Sequence, residues 1–235
     1  VSLQIFAVSG VGDIHADSDL VGELLTALEA SGERLHNLDL VAVTSKVVAK
    51  SEGRVVSFDG TEEHKLALIN AESRRVIRRR GPLRITETHH GFVCANAGID
   101  LSNTDNGTAV LLPKDPDRSA RRFRAEIRRR CDIDVAVIVT DTFGRVWRQG
   151  VTDVAIGAAG VKPILDLRGT ADATGRILEA TEVALADELA SAANLVLGKA
   201  AGTPFAILRG LDQNFFGEGS IRDDVVRAAN EDLFR

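Results

Sequence analysis

The apolar run Val135-Ala136-Val137-Ile138-Val139-Thr140 delivers Asp141 and Thr142 at its end, and Arg145 and Arg148 follow shortly after. A carboxylate and a hydroxyl are hard oxygen donors of the kind that hold Mg2+ or Mn2+, and guanidinium groups neutralise phosphate or carboxylate. The end of a buried strand is a common place for a ligand in α/β proteins. Asp141, Arg145 and Arg148 are therefore candidate catalytic residues, against the plainer reading of a capped turn with an exposed ion pair.

Three other clusters carry related chemistry. In Cys94-Ala95-Asn96-Ala97-Gly98-Ile99-Asp100, a glycine-bearing turn presents Asp100 as a second metal carboxylate, or as the acceptor of a local Asx turn. Thr44-Ser45-Lys46-Val47-Val48-Ala49-Lys50 follows another apolar run; Ser45 and Lys50 are candidates to meet an anion, whereas Lys46 reads as a solvated lysine at a helix start. Gly217-Glu218-Gly219-Ser220 permits a backbone nest aimed at phosphate, with Glu218 available to a metal.

Several familiar chemistries are missing. Gly198-Lys199 is followed by alanine and lacks the upstream glycine of a phosphate loop. There is no GxSxG elbow, HExxH helix or CxxC pair, and His89 and His90, with no third ligand at metal spacing, read as surface residues.

These clusters need elements to position them. β-branched apolar runs predict strands over 38–44, 54–58, 108–112, 134–140 and 204–208, and helical periodicity predicts helices over 18–30, 62–80, 118–130 and 176–199. The class is mixed α/β (α+β), in an order too irregular for a doubly wound sheet, with two interleaved lobes as one arrangement. A chain of 235 residues that is 44% hydrophobic can build a real core. The formal charge of -5 argues against nucleic acid, and no apolar stretch is long enough for a membrane span. Cys94 and Cys131 read as buried thiols of a reduced, cytoplasmic protein.

Taken together, the blocks VTSKVVAKSEGRVV (43–56), CANAGIDLSN (94–103), LLPKDPDRSA (111–120), VIVTDTFGRVWRQGVTDVAIGAAG (137–160), the long stretch 166–210 and GEGS (217–220) resemble the coenzyme F420-0:γ-glutamyl ligase family. The resemblance implies that family's distinctive mixed fold over residues 1–235. It also implies a GTP-dependent ligase that joins L-glutamate to the deazaflavin precursor F420-0 and then adds γ-linked glutamates. Two divalent ions, Mg2+ or Mn2+, would sit at Asp100 and Asp141 and at Thr142 and Glu218, with K+ as a further cofactor. GTP contacts would map to Val11, Gly12, Asp13 and Ile14, to Ser45, Lys50 and Asn103, and to Phe216, Gly217, Glu218, Gly219, Ser220, Ile221, Arg222 and Asp223. A homodimer with the site near its interface is implied as well. The last residues, 230–235, look like the passage into a nitroreductase-like domain of two-domain relatives.

Gly12 and Asp13 stand where the family often has proline and glutamate, and Val151 where it often has glutamine. The same residue types would also suit a metal-dependent phosphohydrolase or a non-catalytic nucleotide-binding module.

Overall fold

The computed structural model describes residues 2–101, 107–198 and 202–233. In chain order the elements are β1 (Gln4–Val8), α1 (Leu20–Ala30), β2 (Leu40–Thr44), α2 (Ser45–Ser51), β3 (Val55–Ser57), α3 (Glu62–Ala71), β4 (Ser73–Arg80), β5 (Leu83–Thr88) and β6 (Val93–Ala95). There follow β7 (Thr108–Val110), α4 (Pro116–Cys131), β8 (Ala136–Arg145), β9 (Arg148–Ala159), β10 (Leu165–Asp166), β11 (Glu182–Val183), α5 (Leu185–Leu197) and β12 (Phe205–Arg209). The class is the mixed one expected.

The main sheet has the order β1-β12-β2-β8-β9, with β2 and β8 parallel and every other neighbour antiparallel. Leu40 to Val43, Ala136 to Val139 and Phe205 to Leu208 are all buried, although successive residues point to opposite faces, so both faces of these central strands are covered. That is why they read as unbroken apolar runs. α4 packs on β8 and β9, and α5 on β9, β12 and β1. Contact between α4 and β9 is close enough to require Gly157, where a Cβ would lie 2.3 Å from the Pro116 carbonyl. The smaller sheets are β4-β5-β6, β3-β7 and β10-β11.

Helix ends follow local chemistry. Asp19 caps α1 by accepting from the Gly22 N–H at 3.0 Å, and Asp115 caps α4 by accepting from Arg118 N–H at 2.9 Å, with Pro116 in the first turn.

Two helices are shorter than the sequence predicts. The predicted helix 62–80 stops at Ala71, and Ser73–Arg80 is strand β4, paired antiparallel with β5. Its arginines favour helix, but Val76 and Ile77 are half-buried in the pairing, and tertiary context overrides the weak helical preference. Likewise α5 begins at Leu185 rather than near 176, after the short strand β11.

Candidate functional site

One edge of the main sheet collects several of the candidates. Val8 pairs with Phe205, Phe205 with Val43, and Thr44 with Thr140, so β1, β2 and β8 reach the same edge of the sheet, β2 beside β8 and β1 across the start of β12. The Val11, Gly12, Asp13 and Ile14 loop leaves β1 there, Ser45 and Lys46 open α2 there, and Asp141 and Thr142 leave the sheet's centre there. Carboxyl ends of neighbouring strands that run into different connections leave a crevice suited to a ligand. Beyond it β8 and β9 continue alone as a hairpin to Arg145 and Arg148.

Asp141 is the chemical centre of this edge. Ser45 Oγ donates to Asp141 Oδ1 at 2.8 Å. Burial pushes the Asp141 carboxyl up to about 7, and the Asp153 and Asp100 carboxylates add to the rise, while the Ser45 hydroxyl and the Thr142 N–H pull the other way. Asp100 is held by two backbone hydrogen bonds with Val110, each 2.9 Å, and Lys46 Nζ lies 2.7 Å from Asp100 Oδ2. Lys46 is thus an ion-paired residue of the site rather than a solvated lysine. Cys94 is buried close by, its thiol pushed up to about 12 by burial with the Asp141 charge adding to the effect.

Thr142 belongs to a different face. Adjacent residues on a strand point oppositely, so Thr142 turns away from Asp141. It lies opposite Asp153 on β9, and Thr142 Oγ1 donates to Asp153 Oδ1 at 2.6 Å. Asp153 is only 4% exposed. Thr140, two residues back on the same face, has a buried hydroxyl with no hydrogen-bond partner among the described residues. The sequence reading missed Asp153. Its signal was the alternation around Thr152 and Asp153 at the distance from the hairpin turn that pairs position 142 with 153.

This donor set fits a hard divalent cation. Carboxylates as close as Asp141 and Asp153 repel one another until a cation neutralises them, and the Thr142 hydroxyl keeps lone pairs after donating to Asp153. Among the described residues no group of three or more His, Cys, Asp and Glu side chains stands close enough to cage a metal alone. Mg2+ is commonly held by one or two carboxylates together with waters and substrate phosphates, so no such cage is required.

The nucleotide candidates divide. Asp17 N–H, just after the Val11 to Ile14 loop, donates to Ser51 O at 3.0 Å, which ties that loop to the end of α2 beside Lys50. Ser45 and Lys50 stand at opposite ends of this one short helix, with the loop tied to the Lys50 end. Asn103 lies outside the described residues.

Phe216, Gly217, Glu218, Gly219, Ser220, Ile221, Arg222 and Asp223 lie at the other end of β8. Gly217 N–H donates to Gly160 O at 3.3 Å, just beyond the residue that pairs with Val137, and Phe216 bridges to Val161. Glu218 is 81% exposed and pairs at 3.0 Å with Arg124, which also holds Asp134 ahead of β8. Asp134 lies seven positions before Asp141 along β8 and the residues that lead into it, about 23 Å if extended. Within one chain Glu218 does not join Asp100, Asp141 and Thr142.

Several N–H groups in and just after the Gly217-Glu218-Gly219-Ser220 turn are already engaged: Ser220 N–H goes to Asp224 at 2.7 Å, Asp223 N–H to Ser220 Oγ at 3.0 Å, and Ile221 and Arg222 N–H to the buried Asp117 carboxylate at 2.9 and 3.1 Å. Asp117 accepts from Ala158 N–H as well, at 2.8 Å.

Arg145 and Arg148 face each other across the exposed hairpin tip, about 13 Å of strand beyond Asp141. They do not reach it in one chain. His90 is not a surface residue: it is half-buried, stacks on Phe92 at 5.4 Å and bonds Pro113 O at 2.8 Å, and burial lowers its pKa. His89 is exposed, as expected.

Comparison with known proteins bears on this arrangement. The family described as F420-0:Gamma-glutamyl ligase matches residues 10–210. The chain is 37% identical to a protein of Methanothermobacter thermautotrophicus named coenzyme F420:L-glutamate ligase, over 100% of both chains. Proteins of the same name from Methanopyrus kandleri and Methanocaldococcus jannaschii are 42% and 39% identical, over 91% and 84% of this chain and 92% and 84% of their own.

Proposed function

Since the chain belongs to the F420-0:γ-glutamyl ligase family, we propose that it joins L-glutamate to F420-0 at the expense of GTP, and then adds further glutamates through γ-linkages. The observation that carries this reading is Asp141, a half-buried carboxylate held by Ser45 at the edge where β1 and β2 end and β8 leaves the centre of the sheet, with Asp100 and Lys46 beside it.

A carboxylate is a poor electrophile, so the precursor needs activation. Its carboxylate oxygen attacks the γ-phosphorus of GTP, the bond to the bridging oxygen breaks, and GDP leaves from an acyl phosphate. The amine of glutamate then attacks the acyl carbon, loses a proton, and inorganic phosphate departs. Lys50, Ser45 and the Val11 to Ile14 loop would hold the nucleotide, and Lys46 would offset charge on the Asp100 side. Mg2+ or Mn2+ held at Asp100 and Asp141, and at Thr142 and Glu218, would neutralise phosphate oxygens and fix them in line. K+ completes the expected set of cofactors.

A homodimer is part of this reading. Two observations support it: Glu218 lies far from its expected neighbours within one chain, and the β8–β9 tip exposes Val146, Trp147 and Val151. A second copy would bring Glu218 to the Thr142 side. The cytoplasm suits the reading too, and among the described residues no helix is long and apolar enough to cross a membrane.

Incubation of the purified chain with F420-0, L-glutamate, GTP and Mn2+ tests the proposal by mass spectrometry and GDP release. Glutamate-dependent GDP release matched by glutamylated product is expected. Phosphate release without any acceptor would mark a phosphohydrolase instead, and GTP binding without turnover a nucleotide-binding module.

A further inference from the structure

The β4–β5 ribbon carries Arg74, Arg75, Arg78, Arg79, Arg80 and Arg84, in a protein whose formal charge is -5. Arg75 and Arg74 share Glu87, at 2.8 and 3.7 Å. The other four form no ion pair with any described residue. Register sets Arg79 directly opposite Arg84, an arrangement that costs stability unless an anion relieves it.

One face of the ribbon carries Arg75, Arg78 and Arg80 along with exposed Leu83 and Val93, so it offers cations beside a shallow apolar strip. Its position is defined as well. Arg84 N–H donates to Asn96 Oδ1 at 3.0 Å, and Asn96 opens the turn that leads to Asp100. The tip of the ribbon, with Arg78 and Arg80 on one face and Arg79 and Arg84 on the other, therefore lies next to the turn that leads to the candidate site.

The geometry points to this ribbon as the track for an oligocarboxylate, the γ-linked glutamate tail that lengthens with each addition. The inference rests on the ligase reading above. A tail of repeated carboxylates matches a ribbon tip whose four guanidinium groups, two on each face, have no carboxylate partner among the described residues of an otherwise acidic protein. Nucleic acid fits less well, because no aromatic side chain is interleaved with these arginines to stack a base.

Replacing Arg78, Arg79, Arg80 and Arg84 together by serine tests this. The readouts are the melting temperature, the rate of the first addition, and the number of glutamates per product molecule by mass spectrometry. The expected result is an unchanged first addition and a drop of about tenfold in later additions, the scale of several exposed charge contacts. A wild-type chain that extends, with a variant that extends equally, overturns the inference and leaves the ligase reading standing. So does a wild-type chain that stops after one glutamate. Loss of the first addition in a well-folded variant also overturns it, by assigning the ribbon to the precursor or to GTP. A wild-type chain that forms no glutamylated product defeats the ligase reading itself. If the variant melts early, a fourfold Arg→Lys variant and a KCl titration of the wild type decide. Later additions more salt-sensitive than the first, and kept by lysine, support the track; equal sensitivity of all additions overturns it.

Discussion

Thr142 Oγ1 donates to Asp153 Oδ1 at 2.6 Å across the β8–β9 pair, so a nearly buried carboxylate sets the direction of a candidate ligand hydroxyl. Asp153→Ala frees that hydroxyl to rotate. Activity should fall by about 10- to 100-fold, the usual cost of losing a group that orients a metal ligand. The divalent ion needed for half-maximal rate should rise, and Asp153→Asn, which keeps an acceptor, should be milder. A rate loss with unchanged metal dependence would put Asp153 outside the metal's surroundings.

Asp141→Ala should cost more than the ~100-fold typical of orienting partners, because it removes a carboxylate proposed to hold the metal directly. The fold should survive, since the change removes a half-buried acid whose ionisation is opposed by burial. Far-UV circular dichroism and the GDP release assay read the two effects separately. Strong residual activity at saturating Mg2+ or Mn2+ would sink the assignment.

Asp117→Ala should be a stability variant. It strips the acceptor from the Ala158, Ile221 and Arg222 N–H groups in a largely buried place, which should cost about 3 kcal/mol in urea denaturation. Nucleotide affinity should weaken too if the 216–223 segment contacts GTP; nucleotide titration of the folded variant checks that.

His90 gives the fold an acid-sensitive element. Burial lowers its pKa, so the unfolded chain binds a proton more readily than the native one. The stability at stake is fully present above the unfolded value of about 6.5 and is lost as pH falls through that value toward the lower native one. Urea midpoints at pH 7.5 and 5.5 should differ more for the wild type than for His90→Gln. Equal slopes would remove His90 from the acid response.

Where the chain alternates or runs apolar in one continuous stretch, its elements could be read directly. The run ending at Thr140 announced both the buried strand β8 and the carboxylate after it, because a strand covered on both faces must be apolar throughout. Strand β9 was not apparent. Its inner half, Val154-Ala155-Ile156-Gly157-Ala158-Ala159, is mostly small residues poor in strand preference, with Gly157 admitting α4 at Pro116. Asp153 was hidden with it. Glu218 shows the opposite limit: its residue type was readable as a metal ligand, but its distance from Asp141 depends on which end of β8 the chain returns to, and local sequence carries no such information.

Trp147 is the protein's sole tryptophan, there is no tyrosine, and the indole is 87% exposed at the hairpin tip. The chain therefore carries its own optical reporter at one known point, with no second emitter to confuse the signal. Any event that covers the tip, association of two copies above all, should shift that emission to shorter wavelength without a label being attached.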